Sequence, residues 1–136
     1  MEALLQTCVE LLEAGEDFAL ATVIESHGSA PRGAGAMMAV RRDGSIAGTV
    51  GGGSLEARAM EAGASVLDSG GGVLLPFDLS NADAAKSDMI CGGKGRMAVV
   101  KVTPADLPAF SAALEAARVS GHGFLATAWP PDGVGA

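Results

Sequence analysis

Leu4, Leu5, Cys8, Leu11 and Leu12 recur at helical spacing, with Glu10 and Glu13 off their face. Residues 3–14 therefore read as an amphipathic helix, and Gly15 is placed to stop it. Residues 18–25, FALATVIE, are rich in strand-forming types. The stretch SHGSAPRGAG, residues 26–35, has a glycine and proline density that forbids regular structure. Met37–Arg41 and Ser45–Val50 read as the arms of a hairpin, with Asp43-Gly44 as a tight two-residue turn. Leu55, Ala59, Ala62 and Val66 make one face of a second helix over roughly 54–68, with Ser54 as its N-cap.

Gly70-Gly71-Gly72 marks a turn before a strand at Val73–Phe77, and residues 78–90 form a polar connection with room for a short helix. Met97–Thr103 is the next strand. Asp106 caps a third helix whose inner face is Leu107, Phe110, Leu114 and Ala117, with Pro108 tolerated in the first turn. Gly121–Trp129 turns into a last strand and PPDGVGA is a loop. The order of elements predicts one α/β domain spanning residues 1–136, a mixed sheet with helices packed on it. Its binding edge would collect the 26–35 loop, the glycines at 51–54 and those at 91–95.

The chain has 136 residues, 49% of them hydrophobic and 18% charged, which suits a folded domain and excludes a disordered acidic chain. Aromatics are 4% and the formal net charge is −7. Nucleic-acid binders need stacking rings and positive charge, so that class is set aside. No apolar run reaches membrane-spanning length and the N-terminus has no signal-peptide pattern. Cys8 and Cys91 form no metal-finger or CxxC spacing, which fits a reduced, cytoplasmic protein.

Glycine is enriched to 20 of 136 residues, and the clusters are where chemistry is to be sought. At Gly51-Gly52-Gly53-Ser54 a strand gives way to a helix. Glycines let backbone N–H groups approach a ligand, and a helix start offers unpaired N–H groups, so the junction suits a phosphate. Three consecutive glycines exceed what a turn needs, although a plain turn with Ser54 as cap is the competing reading. No Walker loop is present, and Gly121-His-Gly123-Phe-Leu-Ala126 matches a dinucleotide fingerprint only in form, since it opens a strand. Pro31 stiffens the approach to Arg32, whose guanidinium can fork onto phosphate oxygens. His27 is a loop histidine whose plainest reading is a solvated one. Cys91 stands before Gly92-Gly93-Lys94, where a thiol can act as nucleophile or soft ligand. Cys8 lies on the apolar helix face and reads as core. Arg32, Arg41, Arg42, Lys94 and Arg96 lie near the glycine loops in sequence and suggest a local anion pocket.

Three motifs in order, GSAPRGAGAMMAV (28–40), DGSIAGTVGGGSLE (43–56) and DMICGG (88–93), resemble the XdhC/CoxI family. The resemblance covers roughly residues 1–103. It implies an accessory or maturation factor for a molybdenum hydroxylase, not a stand-alone catalyst. Such a factor binds molybdenum cofactor, supports its sulfuration with a cysteine desulfurase, and passes it to the apoenzyme. The resemblance also implies a cytoplasmic protein and a homodimer. Typical members add a C-terminal Rossmann-like domain with a dinucleotide-type glycine motif, which these 136 residues lack. The cofactor-binding residues expected on this basis are Ser29, Arg32, Gly51, Gly52, Gly53, Ser54, Glu56, Cys91, Gly92 and Gly93, with Glu56 also suited to answering the helix dipole. Two other classes stay open. One is an enzyme acting on a small phosphorylated substrate through Ser54, His27 or Cys91. The other is a non-catalytic oligomerisation or docking domain in which the glycines are only turns.

Overall fold

The computed structural model describes residues 1–28, 33–79, 93–121 and, in backbone only, 134–135. Helix α1 (Glu2–Glu13) leads into β1 (Phe18–His27), then β2 (Met37–Val40) and β3 (Ile46–Gly48). Helix α2 (Gly53–Ser69) follows, then β4 (Gly72–Asp78) and β5 (Lys94–Val102). A 3-10 turn (Pro104–Asp106) opens α3 (Leu107–Ser120), and β6 (Val134–Gly135) closes the described chain. The strand order is β3-β2-β1-β5-β4-β6. The first five strands are antiparallel and β6 lies parallel to β4, so the sheet is mixed, as the element order predicts.

Both faces of the central strands are covered, which is why Phe18, Ala19, Leu20 and Ala21 are all buried in succession. Ala19, Ala21, Val23, Met38, Val40, Met97 and Val99 pack with Leu55, Ala59, Val66 and Leu67 of α2. Phe18, Leu20, Ala39 and Val102 alternate to the opposite face and pack with α1 and with Phe110, Ala113 and Leu114 of α3. Phe18 and Phe110 meet edge to face, with ring centroids 5.8 Å apart. Helix α2 lies close because residue 63 is glycine. A Cβ there would stand 3.0 Å from Val40 Cβ and 3.2 Å from Ala19 Cβ.

Three local expectations are corrected. The hairpin connection is longer than two residues: Arg41 N–H donates to the Ser45 carbonyl at 2.9 Å, so Arg42–Gly44 form the loop, with Gly44 at φ 87°. The Asp43 carboxylate accepts from Ser45 N–H (2.9 Å) and Ser45 Oγ (2.6 Å), which sets this turn rather than the tighter one. Strand β1 runs on to His27, two residues into the expected loop. The N-cap of α2 is Gly52, not Ser54, for a reason that belongs to the site. The short helix expected within 78–90 and the strand expected at Gly121–Trp129 lie, beyond their first residues, outside the described residues.

Candidate functional site

Antiparallel pairing brings several strand ends to one end of the sheet. There β1 finishes at His27, β2 starts at Met37, β3 finishes at Gly48, β4 finishes at Asp78 and β5 starts at Lys94. Gly28, Gly51–Gly53 and Gly93 therefore leave the sheet at the same end, as the sequence reading expects of the binding edge. Gly93 is fixed there by its carbonyl, which accepts from Leu79 N–H at 2.7 Å. Ser29, Arg32, Cys91 and Gly92 lie outside the described residues.

The glycine junction is held by two side chains. Gly51, Gly52 and Gly53 have φ of 128°, 82° and 55°, a run that side-chain-bearing residues do not sustain. Gly52, with ψ −176°, sits in a region used essentially by glycine alone. A Cβ built on it would meet nothing within 4 Å, so its surroundings are open. Thr49 Oγ1 accepts from Gly51 N–H at 3.0 Å and donates to Glu56 Oε2 in a short bond. The same Oε2 accepts from Gly52 N–H at 2.8 Å. A carboxylate of the helix's first turn thus reaches back to the N-cap N–H, which starts the helix at Gly53 and puts Ser54 inside it. Glu56 answers the positive end of the helix from within the chain. An incoming phosphate on Gly52 would face this half-buried carboxylate. Oε1 of Glu56 has no hydrogen-bond partner among the described residues and is left as an acceptor.

Two of the five basic residues expected near the loops are elsewhere. Arg41 and Arg42 follow β2 at the opposite end of the sheet. Arg42 grips Asp17 through Nε–Oδ1 (2.7 Å) and a terminal nitrogen to Oδ2 (2.9 Å), and Arg41 pairs with Glu16 at 3.2 Å. Sequence proximity misplaces them because a hairpin carries its turn to the far end from its strand termini. The Arg42 hydrogen bond holds the Asp17 carboxyl below its usual range, with Lys101 adding to it at 3.7 Å.

Lys94 and Arg96 do lie at the loop end, with cross-strand neighbours that strand spacing alone does not reveal. Pairing between β1 and β5 shifts by one residue between Val23 and Glu25, a β-bulge at Ile24. Strict alternation would put Glu25 on the face of Ala19, Ala21 and Val23, inside the core. The bulge turns it to the other face, opposite Arg96, and puts His27 opposite Lys94. Glu25 Oε2 accepts from Arg96 Nε at 2.5 Å, and His27 Nε2 lies 2.8 Å from Glu25 Oε1. Hydrogen bonding from His27 and then Arg96 holds the Glu25 carboxyl below its usual range. The bulge also demands Gly95. A Cβ there would fall 1.9 Å from the Glu25 carbonyl oxygen. The signals available in the sequence were a charge at a core-parity position and a glycine inside a strand.

Cys8 is fully buried and its thiol is pushed up to about 12 by desolvation, which confirms it as core. Among the described residues no cluster of His, Cys, Asp and Glu is arranged to hold a metal ion, and no helix is long and apolar enough to cross a membrane.

This three-layer α/β/α arrangement is shared with the crystal structure of a xanthine dehydrogenase from Bacillus halodurans. The TM-score is 0.66 and the identity 25%, over 79% of this chain and 34% of that one. The chain is also 42% identical over 78 residues to the uncharacterized protein YqeB of Escherichia coli K12, covering 56% of this chain and 14% of that protein. A profile of the XdhC and CoxI family matches residues 11–78, half of the chain, and the chain belongs to that family. It spans about one seventh of YqeB and one third of the Bacillus protein.

Proposed function

We propose that this domain is the ligand-binding part of an accessory factor for a molybdenum hydroxylase. Its cargo is molybdenum cofactor, bound for sulfuration with a cysteine desulfurase and for delivery to the apoenzyme. The protein works in the cytoplasm as a homodimer. The observation that carries this reading is the convergence of Gly28, Gly51–Gly53 and Gly93 at one end of the sheet. Family membership supports it, as does the fold shared with a protein described as a xanthine dehydrogenase. Ser29, Arg32, Cys91 and Gly92 belong to the same motifs and complete the proposed contact set with Gly51, Gly52, Gly53, Ser54, Glu56 and Gly93. The donor set suits a pterin in one definite way. The amino-pyrimidinone edge of a pterin presents N–H donors, and Glu56 Oε1 is an acceptor held in place through its sister oxygen.

The test is equilibrium binding of molybdenum cofactor to the purified chain, with Arg32→Ala, Gly52→Ala, Glu56→Gln and Cys91→Ala in parallel, each checked for native circular dichroism. Saturable binding with Kd near or below 1 μM, about −8 kcal/mol, is expected. It should weaken in folded Gly52→Ala or Glu56→Gln. A folded wild type that binds no cofactor sinks the reading for this domain.

A further inference from the structure

The glycine junction is the first place to seek a phosphate, and Glu56 already occupies its N-terminal N–H group. The cations at this end of the sheet stand elsewhere. Beyond the area covered by α1 and α3, the same sheet face carries two cross-strand rows. One is Glu25, Arg96 and Pro76; the other is His27, Lys94 and Asp78. Together they line a depression of about 250 Å³. Lys94 and Arg96 are two residues apart on one strand and so project to the same face. Glu25 is shared by Arg96 and His27, and Asp78 has an interaction of its own. Lys94 has no ion-pair partner among the described residues. Arg96 commits only Nε, which leaves its terminal nitrogens available for a fork onto oxyanion oxygens. The bulge at Ile24 and the bare backbone at Gly95 together build this grid, since without them Glu25 would lie in the core and could not brace Arg96.

We propose that Lys94 and Arg96 form a phosphate subsite in the β1–β5–β4 depression, the place where the phosphate monoester of a bound ligand docks. Glu25 is the positioning residue that holds the Arg96 guanidinium over the strand. The identity of the ligand rests on the cofactor reading above, whereas the subsite itself rests on the grid.

The experiment is a titration of the ¹⁵N-labelled full chain with inorganic phosphate at constant ionic strength, with chloride as the control, followed by backbone amide shifts. Saturable shifts at Phe77–Asp78 and Lys94–Arg96 are expected, with none at Gly51–Gly53. Lys94→Gln, an exposed change that leaves the Glu25 bridges intact, should weaken phosphate about tenfold. Glu25→Gln should weaken it less, through Arg96 alone. Shifts centred on Gly51–Gly53, shifts no larger than those from chloride, or an unchanged affinity in Lys94→Gln would each overturn the subsite. Molybdenum cofactor bound equally by wild type and Lys94→Gln also overturns it, while leaving the carrier reading in place. Phosphate held at Lys94 by a chain that binds no cofactor overturns the carrier reading and keeps the subsite.

Discussion

Single atoms decide several features of this domain. Gly95 and Gly33 are both glycines without a left-handed φ, yet their surroundings differ entirely. At Gly95 an added methyl would overlap the Glu25 carbonyl, which is backbone and cannot swing away; at Gly33 it would meet nothing within 4 Å. Gly95→Ala should therefore cost about 2–3 kcal/mol. Gly33→Ala should stay within about 0.5 kcal/mol of wild type, aided by a less flexible unfolded chain. Urea denaturation midpoints of the two variants check this. Cys8 offers a second contrast. With its thiol pushed up to about 12 and no exposed surface, it carries no thiolate at neutral pH. In a Cys91→Ser background the native protein should resist a thiol-specific reagent and react only on unfolding. Cys8 was legible as core from its place on the Leu face of α1. Gly95 was not, because its role is set by a carbonyl seventy residues away in the chain.

Helices and strands show the same division between what periodicity carries and what pairing adds. The faces of α1 and α3 and the alternation in β1 up to Val23 follow directly from residue spacing. The bulge does not, since it arises between strands separated by the whole α2 unit. Its consequence can be followed by pH. The Glu25 carboxyl is held below the ordinary glutamate value of 4.5 by His27 and Arg96. A depressed carboxyl contributes stability that is present above its unfolded value and lost as pH falls through its folded one. The stability difference between wild type and Glu25→Gln should thus be largest above about pH 4.5 and close as acid is added. Urea melts from neutral pH down to about 3 measure it; a gap that widens in acid would contradict the bridge. The glycine junction lies between the two cases. Its run of glycines and the N-terminal carboxylate are visible in the sequence, but the reach of Glu56 back to Gly52, which shifts the helix start, is a product of the three positive φ values.

Across the whole molecule, the two ends of one sheet are built differently. The glycine-bearing loops leave at the His27–Lys94 end, while the Asp17–Arg42 and Glu16–Arg41 pairs clasp the hairpin to the start of β1 at the other. Arg42→Ala should therefore lower the thermal midpoint slightly, since exposed pairs contribute little. It should leave ligand affinity unchanged within about twofold, since distant sites without shared partners act independently. Parallel thermal melts and binding titrations of that variant check both halves. An affinity that fell with the Asp17 bridge would show the two ends to be coupled.

The extra residue in β1 also bears on how this strand tolerates change in length. Ile24 is exposed, and its side chain belongs to neither core cluster. Exchanging it for another β-former such as threonine should pass almost unnoticed. Deleting it takes out the unpaired residue: Glu25 then follows Val23 directly and still falls opposite Arg96, on the face away from α2. A deletant that folds, beside a healthy Ile24→Thr variant, is the expected result, scored by soluble yield and circular dichroism; a deletant that fails to fold would contradict this register. At this position the strand carries a residue that its pairing does not use, and the ladder runs on in the same frame without it.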